Sequence, residues 1–256
     1  FLCGYEELPG RTGQPQNVSS WLNHMRRDAG RMAGTVSDRN TIRQNISDKK
    51  EKQMDRERFE KQLDFILEID KEKQILRQTH IRGYSRQEDD AEHAWHMAVM
   101  AFLLQEYSNE KIDIGRTMLM LLIHDLVEID AGDTYAYDAE ANKTKEEREQ
   151  KAADRIYGLL PEDQGKKLME LWREFEAYET PEARFAHVMD NFQPMLLNYE
   201  NGGKDWMNHK VRISQPLKRN EKTATGSEEI WSYMEELLEN SIKNGTILDD
   251  REEKQD

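Results

Sequence analysis

Cysteine is almost missing: Cys3 is the one thiol in 256 residues. Neither a disulfide framework nor a cluster of thiolate metal ligands can be built from it, and such sparse usage fits a reducing compartment. Apolar runs of membrane-spanning length are missing too, and the opening FLCGY lacks the basic stretch and cleavage site of a secretory signal. A cytoplasmic location without a membrane partner is expected. Positive charge is scarce, with 37 Lys and Arg against 51 Asp and Glu and a formal net charge of -14. No run of Lys and Arg marks a basic groove, so a nucleic-acid polymer is not an expected partner. A small phosphate ester stays compatible, because it needs only a few positioned cations and a metal. Strand-like alternation and internal repeats are also missing, which leaves an all-α fold with one buried core.

The length suits a single domain plus an extension. Residues 1–53 carry ELPGRTGQPQNVSS and then a polar stretch without a sustained apolar period, and they read as a disordered, flexible extension. The chain starts at Phe1 and an ordinary initiator stands at Met54, so this extension reads as untranslated sequence, a tag scar or a fragment of something longer. The domain proper is expected over 54–256. Phe59, Leu63, Ile66 and Leu67 recur at helical spacing, and further helices are predicted over 91–107, 114–129, 143–160, 162–178 and 181–200. A last helix follows the N-cap Ser227 and stops before Gly245. Pro181 suits a first turn, whereas Pro194 is expected to kink or interrupt its helix. Trp95, Trp172 and Trp231 read as core anchors.

Against this apolar background LLIHDLVEIDAGDT, residues 121–134, is anomalous. On a helix His124 and Glu128 share a face and Asp125 is turned by about 100°. Such groups in a core position carry a heavy desolvation penalty, which a divalent cation compensates well. The plainer alternative for His124 and Asp125 is a helix-end salt bridge. One helix cannot complete a coordination shell, so others must donate: His93 in DDAEHAWHMAVMA and Asp190 in FAHVMDNFQPM are polar groups in equally apolar surroundings. Two imidazoles and two carboxylates form a sulfur-free set suited to Mn, Co, Fe, Ni or Zn and, less comfortably, Mg. His96 and His187, each one turn from a candidate ligand, read as supporting histidines.

His93, then His124-Asp125, then Asp190, on successive helices, resembles the H…HD…D signature of the HD-domain metal-dependent phosphohydrolases. The stretches AEHAWHMAVMAFLL, LLIHDLVEIDAGDTYAYD and RFAHVMDNFQPMLLN are similar to its small single-domain subgroup, which includes 5′-deoxynucleotidases, and the likeness runs from about Met54 to the last helix. The resemblance implies a single HD-domain helical bundle in which His93, His124, Asp125 and Asp190 hold the divalent ion. It implies Glu128 as proton carrier and Asp133 beside the reacting water. It further implies an arginine on the phosphate, for which Arg77 in LRQTHIRGYSR is favoured over Arg82 and Arg86, although the subgroup has Arg-Trp where this chain has Arg77-Gln78. The implied reaction is hydrolysis of nucleoside or deoxynucleoside 5′-monophosphates to nucleoside and phosphate, by a chain that pairs as a homodimer. Two alternatives remain: a nucleotide-binding regulatory module without turnover, and a two-metal diesterase or oxygenase. The second needs extra histidines between Asp125 and Asp190, where only His187 stands.

Overall fold

The computed structural model describes residues 39–133 and 141–251. Residues 1–38 of the expected extension lie outside the described residues, while 39–53 belong to a helix, α1 (Arg39–Ile69). The chain divides between Gln53 and Met54, and the second unit, Met54–Asp256, carries everything that follows.

A hairpin missed in the sequence comes next: β1 (Leu76–His80) pairs antiparallel with β2 (Gln87–Asp89), with an irregularity between the Leu76↔Asp89 and His80↔Gln87 pairs. Strands this short show no legible alternation. β2 runs directly into α2 (Asp90–Leu104), whose start is set by a capping box: Asp89 accepts from the Glu92 backbone N–H at 2.9 Å and Glu92 reaches back to the Asp89 N–H at 3.3 Å. α3 (Ile114–Ile123) is capped by the Asp113 side chain. It stops at Ile123, where a 3₁₀ turn (His124–Val127) leads into the short α4 (Glu128–Ala131), so the continuous helix predicted over 114–129 is broken. Tighter 3₁₀ geometry re-aims side chains and is common at functional sites.

α5 (Lys145–Tyr157), α6 (Glu162–Ala177) and α7 (Pro181–Glu200) follow within a few residues of their predicted limits. Thr180 caps α7 and Pro181 occupies its first turn. Pro194 does not interrupt α7, which continues to Glu200. The proline only removes the N–H that would have met the carbonyl of Asp190 one turn earlier. Two short helices unforeseen in the sequence, α8 (Lys204–Asn208) and α9 (Ser214–Arg219), precede α10 (Glu228–Lys243), which Ser227 caps as expected.

α2, α3 and α7 pack pairwise at the centre. Met97, Met120, Leu121, Phe185, Met189 and Met234 are fully buried between them and their neighbours. Truncating one such side chain to alanine costs about 2–5 kcal/mol. The apolar spacing on α1 has a different meaning: Phe59, Leu63, Ile66 and Leu67 are exposed, and Phe65 is the buried one. Trp172 is buried as expected, but Trp95 is exposed on α2. Among the described residues no helix is long and apolar enough to cross a membrane.

Candidate metal centre

The three central helices bring the polar exceptions of the sequence to one point. His93, on the inner face of α2, is fully buried, and its Nε2 lies 3.2 Å from Asp190 Oδ1 on α7. His124, at the break after α3, places Nε2 3.0 Å from Asp125 Oδ2 and 4.0 Å from the same Asp190 oxygen. Coordinating atoms of His93, His124 and Asp125 all lie within 4.8 Å of one another. Both imidazoles are oriented by their other nitrogen: His93 Nδ1 pairs with Gln193 Oε1 at 2.9 Å, and His124 Nδ1 with the Leu121 carbonyl at 2.9 Å. With Nδ1 donating in each case, both Nε2 lone pairs face the cluster.

This donor set fits a divalent ion. Ligands bound at about 2.1 Å stand about 3.0 Å apart when adjacent on an octahedron and about 4.2 Å apart when opposite. The separations of 3.0, 3.2 and 4.0 Å fall in that range. His124 Nε2 is buried and, despite its closeness to Asp125, has no aligned hydrogen-bond partner among the described residues. With protons alone, burial pulls the His124 pKa down, but the neighbouring Asp125 charge and then Asp190 raise it to about 9. Burial likewise works against the Asp125 carboxylate, yet His124 and Arg77 hold its pKa far below the usual range. A cation can replace the shared proton, since metal binding requires neutral imidazole and ionised carboxylate.

Arg77, on β1, is nearly buried, and its Nη1 is 2.9 Å from Asp125 Oδ2 and 3.1 Å from Asp90 Oδ1. It lies in the cavity wall, but with its charge engaged by carboxylates. Asp90, absent from the sequence-derived set, is fully buried at the start of α2. Burial and the Asp125 charge push it up to about 7, against Arg77, and carboxylate oxygens of Asp90, Asp125 and Glu128 lie within 4.8 Å of one another. Glu128 is buried one turn beyond His124; burial and the charges of Asp125, Asp90 and Asp133 drive its pKa well above the carboxylate range. Gly132 follows α4 with φ 75°, a left-handed conformation that favours glycine, and so turns Asp133 back into the cavity. Burial raises the Asp133 pKa as well, Arg77 opposing it.

Two cavities meet at this cluster and share Asp125, Lys145, Asp190, Asn191 and Arg219. One runs along α7 from Asp190 past Met195 to Asn198, with Trp206 of α8 in its wall. The other opens beside His124, Phe175 and His187. Lys145 and Arg219 are further cations at the centre, Lys145 Nζ being 3.4 Å from Glu149 and Arg219 Nη2 3.6 Å from Asp190. Sequence reading missed both. Of the two further histidines, His96 Nδ1 is 3.1 Å from Gln193 Nε2, and His187 stacks on Phe175, whose ring lies 4.8 Å from that of His124.

The family described as HD domain matches residues 69–231, more than half of the chain. The chain therefore belongs to the HD-domain family. A solved structure of a predicted metal-dependent phosphohydrolase from Magnetospirillum magnetotacticum MS-1 is 48% identical and has a TM-score of 0.72, over 75% of this chain and 96% of that one. Among curated proteins, the 5′-deoxynucleotidase HDDC2 of Homo sapiens is 34% identical over 115 residues, 45% of this chain and 55% of its own length. The 5′-deoxynucleotidase hdd1 of Schizosaccharomyces pombe is 29% identical over 135 residues, 48% of this chain and 65% of its own. The chain thus spans less than two thirds of the length of these curated relatives.

Proposed function

We propose that this protein is a metal-dependent phosphomonoesterase that hydrolyses nucleoside 5′-monophosphates, deoxynucleotides among them, to nucleoside and phosphate. The observation that carries this reading is the convergence of His93 Nε2, His124 Nε2, Asp125 and Asp190 Oδ1 beside a buried Glu128, whose pKa burial and the neighbouring carboxylates raise. The names of the curated relatives support the substrate class.

A divalent ion of the Mn, Co, Fe, Ni, Zn or Mg group, held by those four side chains, would lower the pKa of water and neutralise charge on the phosphoryl oxygens. Lys145 and Arg219 bind the phosphate from the shared mouth of the two cavities, and Arg77 adds its charge at the wall while holding Asp125 in place. A water oxygen adds to phosphorus as the P–O5′ bond breaks. Asp133 takes up the proton the water releases, and Glu128 donates its proton to the departing 5′ oxygen. The acidic trio Asp90, Asp125 and Glu128 is not used for a second metal in this scheme, because Arg77 Nη1 contacts both aspartates. A two-metal diesterase or oxygenase is disfavoured on that ground.

The test is phosphate release from nucleoside mono-, di- and triphosphates under several divalent ions, with Glu128→Gln as control. Turnover of monophosphates by the parent and none by a Glu128→Gln protein that still binds metal is the expected result. Nucleotide binding without phosphate release in the parent would instead establish the regulatory module. Equal rates with dAMP and AMP would remove any preference for deoxyribose.

A cytoplasmic setting accompanies this reading, resting on the single cysteine. A homodimer does also, supported by exposed Trp95, Val99, Phe102 and Leu103 on α2 beside Leu119 and Leu122 on α3. Light scattering checks it: the parent should have twice the chain mass and Phe102→Glu the single mass.

A further inference from the structure

α7 runs from the metal centre along the wall of the nucleotide cavity, so positions on it measure distance from the reacting phosphate. Asp190 is at one end, Pro194 and Met195 lie one turn on, and Asn198 is two turns on, about 12 Å along the axis at 1.5 Å per residue. Asn198 lines the cavity but is only 6% exposed. Its Nδ2 donates to the Pro194 carbonyl at 2.9 Å, and its Oδ1 is buried without a hydrogen-bond partner among the described residues. Flipping the amide would set Oδ1 against the Pro194 oxygen, so the orientation is determined and the free group is an acceptor. An unmet buried acceptor costs about 1–3 kcal/mol and calls for a ligand that supplies a donor.

The sugar hydroxyls of a nucleotide lie within a few bonds of phosphorus, whereas the Watson–Crick edge of the base is at its far end. Two helical turns match the base. Met195 and Trp206, both buried side chains in the cavity wall, give the apolar surroundings in which a base and a single hydrogen bond count most. We propose that Asn198 is a specificity-determining residue whose Oδ1 accepts a hydrogen bond from an N–H on the Watson–Crick edge of the nucleobase. Every natural base carries such a donor, as an exocyclic amine or a ring N–H. One acceptor therefore separates nucleotides from base-free sugar phosphates while admitting all common bases. This inference rests on the nucleotidase reading above.

The experiment measures phosphate release by the metal-loaded protein from dTMP, N3-methyl-dTMP, 2′,3′-dideoxythymidine 5′-monophosphate and 2-deoxyribose 5-phosphate. N3-methylation, which removes the donor, should raise KM about tenfold or more, the loss of one hydrogen bond to a buried acceptor. Asn198→Ala should raise the KM for dTMP to the level of the N3-methyl analogue and erase the difference between them. Equal KM values for dTMP and its N3-methyl analogue on the parent protein would overturn the inference with no variant needed. So would an Asn198→Ala effect that disappears with the dideoxy substrate, since the donor would then be the sugar hydroxyl. Should none of the four release phosphate, the nucleotidase reading itself fails, an outcome distinct from both.

Discussion

Gln193 accepts a hydrogen bond from His93 Nδ1 at 2.9 Å, and both side chains are fully buried. The Gln193 amide is itself oriented, because its Nε2 donates to Glu88 Oε1 at 2.7 Å and lies 3.1 Å from His96 Nδ1. Glu88 thus determines which way Gln193 points, Gln193 determines the tautomer of His93, and His93 Nε2 is left as a lone pair beside Asp190. Outer partners of this kind typically contribute 10–100-fold to metal affinity. Gln193→Leu should weaken Mn or Co binding by about that factor in a calorimetric titration while the circular dichroism spectrum is unchanged. An unaltered affinity would mean that the tautomer is set elsewhere.

One guanidinium nitrogen of Arg77 separates the carboxylates of Asp90 and Asp125. Its charge stays locked: burial opposes it, but Asp125 and Asp90 raise its pKa further above the ordinary value. Arg77→Met leaves two buried acids facing each other, and breaking such a pair costs about 3–5 kcal/mol. Urea unfolding of metal-free protein at pH 8 should show a loss of that size. Because a single nitrogen makes both contacts, Arg77→Lys should recover part of it; no recovery would show that guanidinium shape, not charge, is what the site needs.

The candidate ligand set was legible because His93, His124, Asp125 and Asp190 are polar residues in runs that otherwise read as core, and such exceptions stand out at helical spacing. Lys145 offers no contrast within KTKEEREQKAADR, where it is one charge among many. Trp206 and Arg219 are invisible for another reason: α8 and α9 are a turn or so long, below the length at which a period can be detected. Asn198 looks like any polar residue near a helix end until Pro194 and the cavity give its two amide atoms different fates. On α1, spacing revealed a face but not what covers it, and Phe59, Leu63 and Ile66 point outward.

Lys145 and Arg219 line both cavities, each loosely paired with an acid, so an arriving phosphate can share their charge. A hydrogen bond to a charged group is worth about 1.5–3 kcal/mol, roughly ten- to hundredfold in affinity. Lys145→Met and Arg219→Met should each raise the inhibition constant of inorganic phosphate by about tenfold, the effect shrinking with added salt. Constants within twofold of the parent for both variants would reassign phosphate binding to Arg77.

His187 sits between Phe175 and Tyr178, with ring centroids 3.9 and 4.3 Å away and interplanar angles of 19° and 27°. Its Nε2 donates to the Phe175 carbonyl at 2.9 Å. Burial lowers its pKa from the ordinary 6.5 to about 4, with Asp190 opposing. The folded chain therefore keeps this imidazole neutral at a pH where the unfolded chain has already bound a proton. Its contribution to stability is complete above pH 6.5 and is lost as the pH falls towards 4. The whole interval corresponds to about 3 kcal/mol. In metal-free protein, urea midpoints between pH 4.5 and 7 should fall more steeply for the parent than for His187→Gln, which has no proton to gain. Parallel curves would show that His187 titrates in the folded protein as it does in the unfolded one, and that the aromatic stack does not exclude its charged form.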